Sequence, residues 1–321
     1  MKMARWKVAL GIIFIAFVSA PAWSANTDNR SAVPGTLNYV EGQTFIGDQA
    51  VNSQTIGSTQ LGIDQVLMTQ NGKAEVLLTP GVLLRVGSNS SVKMVSPDLT
   101  NTQVAVDRGE AMLEVDEIHS QNDIRVSQPG ANTKILKTGL YNFDAGTQQI
   151  RVFDGKADVQ AGDREVTVKG GHELTLNPSG KLKAQGFDKK AVSKNDDLYR
   201  WSSLRSEYLS EANVESARGY LVNGSYGPGW IGPGWYWNPF FRGFTFVPSD
   251  GFFYSPFGWG FYSPLVIHRV PVVVGRVPHH FDGHRPGPMI GSGFHHHAVR
   301  TFPNTGHVRG VPGVTARPHK G

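Results

Sequence analysis

Residues 104–163 read VAVDRGEAMLEVDEIHSQNDIRVSQPGANTKILKTGLYNFDAGTQQIRVFDGKADVQAGD. This is the densest part of a run, residues 35–184, in which apolar side chains alternate with polar ones, the period of a strand that buries one face. Ala111, Leu113 and Val115 oppose Glu110 and Glu114; Ala157 and Val159 oppose Lys156, Asp158 and Gln160. The pattern continues outward on both sides. Ala74, Val76 and Leu78 oppose Lys73 and Glu75, and Val82, Leu84 and Val86 oppose Arg85. Val166 and Val168 oppose Glu165, Thr167 and Lys169, and Leu174 and Leu176 oppose Glu173 and Thr175. Each such strand is expected to bury one face and wet the other.

Glycine and asparagine or aspartate tolerate the positive φ of tight turns, so the breaks in this pattern are expected turns. Asn71-Gly72, Asp154-Gly155 and Gly170-Gly171 are two-residue hairpin candidates; Pro80-Gly81 and Pro178-Ser179-Gly180 are tight turns. Short strands with frequent turns fit a mainly β fold: an antiparallel sandwich, a roll or a short β-solenoid.

The chain of 321 residues contains no cysteine. Disulfides, cysteine-ligated zinc and a lipidated N-terminal cysteine are therefore excluded. Its formal charge of +5 is unevenly spread. Lys2, Arg5 and Lys7 lead the chain, and beyond residue 265 Arg269, Arg276, Arg285, Arg300, Arg309, Arg317 and Lys320 face only Asp282. The body between them is acidic, which does not match a folded nucleic-acid-binding face.

Residues 1–25 have the layout of a Sec-type signal peptide: three cations, a thirteen-residue apolar run at 8–20, then the small residues Ala20, Ala22 and Ser24. The apolar run is shorter than the roughly 20 residues a spanning helix needs. The expected location is periplasmic or secreted, without a lipid anchor and without a transmembrane helix in the mature chain.

After a Lys-rich connector at 181–194 the period changes. Leu198, Trp201, Leu204, Tyr208, Leu209 and Ala212 recur at intervals of three and four, one face of an amphipathic helix expected to pack on the β-body. Ser193 or Asn195 is the expected cap, with Asp196 and Asp197 in the first turn. Residues 220–262 then hold 17 of the 33 aromatics among Gly and Pro, and Phe253-Tyr-Ser-Pro256 recurs as Phe261-Tyr-Ser-Pro264. These rings either pack among themselves as a proline-braced plate or stand exposed as a binding patch for a protein, a glycan or a second copy of the chain. The candidate patch is Trp230, Trp235, Tyr236, Trp237, Phe253, Tyr254, Trp259 and Tyr262. With only Arg242 and Asp250 as ionisable groups besides tyrosine, this segment has little with which to do acid–base chemistry.

The end of the chain holds nine of the eleven histidines and is rich in Pro, Gly and Arg, a composition that reads as disordered. His279, His280, His284, His295, His296 and His297 are weak metal-ligand candidates, of the right softness for zinc, copper or nickel but without a fixed scaffold. The expected organisation is a signal peptide at 1–25, a β-domain at 35–184, connector and helix at 185–218, the aromatic segment at 219–277 and the tail at 278–321.

Five stretches in order carry a family resemblance: Leu77-Leu-Thr-Pro-Gly-Val-Leu-Leu-Arg-Val86, Val106-Asp-Arg-Gly-Glu-Ala-Met-Leu-Glu-Val115, Thr138-Gly-Leu-Tyr-Asn-Phe-Asp-Ala145, Ile150-Arg-Val-Phe-Asp-Gly-Lys-Ala-Asp-Val159 and Val168-Lys-Gly-Gly-His172. Together they resemble the periplasmic domain of FecR-type proteins. The resemblance implies an all-β, non-catalytic module of the bacterial envelope. Family members that signal couple an outer-membrane receptor to a sigma factor through a cytoplasmic segment and a membrane helix; here a signal peptide is expected in that place. A helix followed by a Trp/Gly/Pro/Tyr-rich segment also resembles what trails many FecR-like domains.

No nucleophile elbow, zinc-protease helix, P-loop or dinucleotide fingerprint occurs in the sequence. Asp116-Glu117 and Asp196-Asp197 are expected at a strand end and a helix start. The expectation is therefore a protein that is not an enzyme and needs no cofactor. It is a binding or scaffold module meeting an envelope protein or glycan, with a FecR-type sensor and a metal-binding tail as the alternatives.

Overall fold

A computed structural model describes residues 32–176, 182–222 and 232–267. The expected signal peptide, Trp230, the turn at 178–180, the tail and its six candidate histidines lie outside these residues. The main sheet has fifteen strands: β1 (Leu37–Ile46), β2 (Gln49–Val51), β3 (Val66–Leu77), β4 (Val82–Val86), β5 (Ser91–Pro97), β6 (Asn101–Arg108), β7 (Glu110–Val115), β8 (Asp123–Gln128), β9 (Ala131–Ile135), β10 (Gly139–Asp144), β11 (Gln149–Asp154), β12 (Lys156–Ala161), β13 (Arg164–Lys169), β14 (His172–Thr175) and β15 (Gln185–Gly186). Their order is β13-β12-β9-β8-β6-β5-β3-β4-β7-β10-β11-β14-β15, with β1 on β3 and β2 on β1. Every pairing is antiparallel except β6 with β8.

The long strand β3 joins the two halves of this sheet. Along one edge Val66–Met68 pairs with β5 and Ala74–Leu77 with β4, while β1 runs along the other edge. The chain then alternates between halves: β5 and β6 on one side, β7 on the other, β8 and β9 back again, and so on to β15. Both halves turn their apolar residues inward. Val92, Val104, Val126 and Val159 from one side and Val76, Leu84, Leu113, Phe143 and Val152 from the other form a single core. The sheet is thus a roll, held by about 1.5–3 kcal/mol for each such side chain removed from water.

The alternation accounts for three turns that differ from expectation. Asn71-Gly72 is not a hairpin but lies inside β3, where Gly72 faces Gly42 of β1 beside a bulge. A Cβ on Gly42, whose φ is +62°, would stand 2.0 Å from the Asn71 carbonyl oxygen, so the close backbone approach at this bend admits no side chain. Asp154-Gly155 and Gly170-Gly171 join strands that do not pair with each other: they are corners between halves. Gly155 (φ +98°) leaves room for the Tyr141 hydroxyl, which donates to the Lys137 carbonyl at 2.5 Å and accepts from the Lys156 amide at 3.1 Å. Pro80-Gly81 is a tight turn between paired strands, closed by the Val82 amide on the Thr79 carbonyl. Local turn chemistry marks where the chain bends but not which strand it meets next.

Two helices follow. α1 (Lys189–Asn195) lies within the expected connector and is capped by Asp188, whose Oδ1 accepts from the Lys190 and Ala191 amides. α2 (Asp197–Val222) is capped by Asp196, which accepts from the Tyr199 amide at 2.8 Å, rather than by Ser193 or Asn195. Leu198, Leu209 and Ala212 are buried as expected, but Leu204 and Tyr208 face solvent. Their places on the docked face are taken by Ser202, Ser206, Ser210, Asn213 and Ala217. The surface beneath α2 is polar, and that selects the face.

Candidate functional site

The outer face of β3, β4 and β7 does not stay wet. Glu75 and Arg85 are partners in the β3–β4 register, and Glu114 stands opposite Leu83 on β7. All three side chains have no exposed surface. Arg85 donates from Nε to Glu75 Oε2 at 2.9 Å and from Nη1 to Glu114 Oε2. α2 adds Arg205, whose Nη2 donates to Glu75 Oε1 at 2.9 Å and whose guanidinium lies over the Tyr39 ring, and Ser206, which donates to Glu114 Oε1 at 2.7 Å. Two carboxylates thus meet two guanidiniums, as buried charge requires. Burial pushes the Glu75 carboxyl up, but Arg205 and Arg85 outweigh it and hold it below its ordinary range. Burial likewise pushes Arg85 down, and Glu114 and Glu75 reverse the direction.

On this face the ions are interspersed with apolar residues that α2 and the aromatic segment cover. Leu77 and Leu83 pack with Leu209, Phe244 and Phe261; Met112, Leu140 and Phe153 pack with Leu198 and Phe257. The aromatic segment is a plate of two hairpins, β16 (Gly234–Asn238) with β17 (Gly243–Val247) and β18 (Phe252–Tyr254) with β19 (Gly260–Tyr262). Its rings interlock edge to face, Trp237 on Phe244 at 5.2 Å and Trp235 on Phe246 at 5.7 Å, while Phe253 stacks on Phe261 at 5.2 Å.

Three buried asparagines fasten the plate. Asn38 of β1 donates to Glu75 and to the Phe244 carbonyl and accepts from the Phe244 amide. Asn213 of α2 donates to the Phe246 and Tyr262 carbonyls and accepts from the Tyr262 amide at 2.7 Å. Asn238 donates to the Ala212 carbonyl and accepts from the Phe240 and Phe241 amides. Further bonds run from Ser210 to the Gly260 carbonyl, from Thr245 to the Leu209 carbonyl and from the Trp259 indole to the Ser203 carbonyl.

A row of acids borders this seam along β7. Glu110 accepts from Asn142 Nδ2 at 2.7 Å; burial first, then Asp196 at the start of α2, pushes it up to about 7, with Asp144 adding and Arg151 opposing. Asp116 is buried beside Glu114 and receives no hydrogen bond on either carboxyl oxygen. Burial, then the charge of Glu114, raises it well above its ordinary value against the pull of Arg85. Glu117, paired with His119 at 3.2 Å, is raised by burial and by Asp250 of the plate. Asp116-Glu117 does follow a strand end, but its environment is the seam.

Within the candidate patch, Tyr236 and Tyr262 are buried, Trp235, Trp237, Phe253 and Trp259 are half-buried in the plate, and Tyr254 is exposed. The two most open aromatics are ones the spacing did not single out: Phe240, 90% exposed at the tip of the β16–β17 hairpin, and Phe252, whose ring stacks on Tyr262; Phe241, beside Phe240, is also exposed. Among the described residues no three His, Asp or Glu side chains are grouped to hold a metal ion. No described helix is long and apolar enough to cross a membrane.

Comparison with known proteins places this geometry. Residues 64–158, from the approach to β3 into β12, match the family described as FecR protein. The roll therefore carries a FecR domain, and the Glu75–Arg85–Glu114 cluster lies inside it while α2 and the plate lie outside. No curated protein matches the chain. Two crystal structures, at 2.50 and 1.65 Å, of a protein from Parabacteroides distasonis ATCC 8503 provisionally assigned as an anti-sigma factor are similar at 17% identity and a TM-score of 0.35. The similarity covers 39% of this chain and 61% of theirs.

Proposed function

We propose that this protein is a non-catalytic binding or scaffold module of the bacterial envelope, periplasmic or secreted, in which the FecR-type roll is a rigid base and the aromatic plate is the contact surface. One observation carries the reading: the plate is fastened by buried bonds and still presents Phe240, Phe241, Phe252 and Tyr254 to solvent. Half-buried Trp235, Trp237 and Trp259 stiffen that surface and contribute their open edges. Rigid, amphipathic rings of this kind bind proteins or sugar faces with little loss of entropy. The charged cluster is sealed, so its role is to position the plate.

The test is co-sedimentation of the full chain with peptidoglycan sacculi and with outer-membrane vesicles, compared with a Phe252→Ser/Tyr254→Ser variant. Retention on one of these materials that falls at least about tenfold in the variant supports the reading, since one contact residue in such a patch carries about 1–2 kcal/mol. Equal retention of both proteins, or none of either, contradicts it.

The FecR match favours a second reading, a sensor or regulator of FecR type that meets an outer-membrane receptor. Site-directed photo-crosslinking from Phe240 or Tyr254 in intact cells distinguishes the two. Capture of one receptor, lost when its inducer is removed, supports the sensor; a constitutive crosslink to glycan or to the chain itself supports the scaffold.

A further inference from the structure

We propose that the tip of the β16–β17 hairpin, Pro239 to Arg242, is a membrane anchor: Phe240 and Phe241 enter the interface of a phospholipid bilayer while Arg242 holds headgroup phosphate. The proposal rests on the reading of the plate as the contact surface and assigns one end of that surface to lipid.

Two observations at the tip carry it. Beyond the closing pair Asn238–Gly243, residues 239–242 are all exposed, and Phe240 keeps 90% of its surface open with exposed Phe241 beside it. Two adjacent open phenylalanines forgo the burial that most rings of the plate obtain, and contiguous apolar surface of this kind marks an interaction site. Arg242 stands at φ +49°, in the left-handed region that glycine or asparagine occupies with less strain. A cation is thus kept next to two open rings where the backbone favours another residue, and such outliers cluster at functional positions.

The tip is fixed as well as open. Buried Asn238 accepts from the Phe240 and Phe241 amides at 3.0 and 3.2 Å and donates to the Ala212 carbonyl of α2 at 3.2 Å. One side chain therefore ties the turn to the body, and the rings need little ordering on contact.

Size and chemistry choose the occupant. The second hairpin meets β17 away from the tip, at Phe246, whose ring lies 5.9 Å from that of Phe253. Phe246 is three residues past Gly243 on β17, roughly 10 Å along a strand. Asn213 bonds both Phe246 and Tyr262, on which Phe252 stacks, so Phe252 belongs to that other end. The four tip residues alone offer far less than the roughly 800 Å² per partner of a stable protein interface. A sugar face needs acceptors as well as donors beside the ring, and among residues 239–242 only Arg242 has a polar side chain, which donates and cannot accept. A bilayer needs no matched surface: its interface takes up apolar rings and leaves a flanking guanidinium at headgroup level. Around Ser216, which Asn238 also reaches, α2 carries Glu211 and Glu215 against Arg218, so the rings rather than net charge supply most of the attraction.

Flotation of the protein purified from cell envelopes with vesicles of phosphatidylethanolamine and phosphatidylglycerol tests this. The wild type should float. Its partition coefficient should fall at least about tenfold in Phe240→Ser/Phe241→Ser, the low end of what one buried ring carries. It should fall about fivefold in Arg242→Gly, which suits the turn and removes only the side chain. All three positions are exposed, so thermal unfolding should not change, and Phe252→Ser/Tyr254→Ser should float like the wild type. A wild type that does not float, a tip variant that floats equally, or an equal loss in both double variants overturns the proposal. Retention on sacculi that depends on Phe252 and Tyr254 while nothing floats overturns the lipid anchor alone and leaves the contact-surface reading standing. A tip-dependent dimer in sedimentation velocity without flotation also overturns it, by assigning the tip to a second copy of the chain.

Discussion

The two faces of β3, β4 and β7 are built on opposite principles. Inward, Val76, Leu84 and Leu113 share one apolar core with the far half of the roll. Outward, on the neighbouring residues of the same strands, Glu75, Arg85 and Glu114 form a closed ionic cluster rimmed by Leu77, Leu83 and Met112. Both faces are equally dry, but they respond differently to change. An apolar core loses stability in proportion to the volume removed, whereas a buried ion cluster depends on its composition: whole or absent it is tolerated, and with one partner removed it is not. The inner face folds the roll; the outer face determines what may sit on it.

The largest expected effect tests that difference. Arg85→Met leaves Glu75 and Glu114 buried without a shared partner and should cost about 3–5 kcal/mol in urea unfolding. Replacing the three together, by Glu75→Gln, Arg85→Met and Glu114→Gln, should recover part of that loss, because neither buried carboxylate charge remains and Arg205, left without Glu75, keeps 11% of its side chain exposed. A triple variant that is as unstable as the single one would refute the contrast. Leu84→Ala, one residue away on the inner face, should cost about 2–5 kcal/mol with no such rescue from neighbouring changes on its own face.

Smaller effects refine the account of how the plate is fastened. Asn213→Ala orphans the Phe246 and Tyr262 carbonyls and the Tyr262 amide, each worth about 1–3 kcal/mol if left unsatisfied, and water reaching the opened site should bring the net loss to about 2–3 kcal/mol. Tryptophan emission should shift to the red in this variant while the far-ultraviolet β signal stays unchanged. Asp196→Ala removes only the α2 cap and should cost about 1 kcal/mol, read as a lower midpoint in thermal unfolding.

Much of the roll was legible in the sequence because its inner face obeys a period of two without exception from Ala74 to Val86. The outer face was misread for an identifiable reason. Charges at Glu75, Arg85 and Glu114 mark solvent in most strands, and here they mark a partner. A signal was present: Leu77, Leu83, Met112, Leu140 and Phe153 fall on that same supposedly wet face, more apolar surface than a solvated sheet carries. The register that brings Glu75 opposite Arg85 depends on strand pairing and is not written in either strand alone. The helix face followed from the same omission, since Ser202, Ser206 and Ser210 form a core stripe only above a polar sheet. Of the aromatics, composition marks the segment, but which rings stay open depends on the Asn238 turn beside Phe240 and on the packing that sinks Tyr262.

The central claim is that the α2–plate unit and the roll are one body joined through a sealed ionic seam. All four tryptophans among the described residues, Trp201, Trp235, Trp237 and Trp259, lie in α2 and the plate, whereas most of the β signal comes from the roll. Urea unfolding can therefore follow the two parts separately by tryptophan fluorescence and by circular dichroism. Coincident transitions with the same midpoint and slope are the predicted result; a fluorescence transition that is complete while the β signal is intact would contradict it.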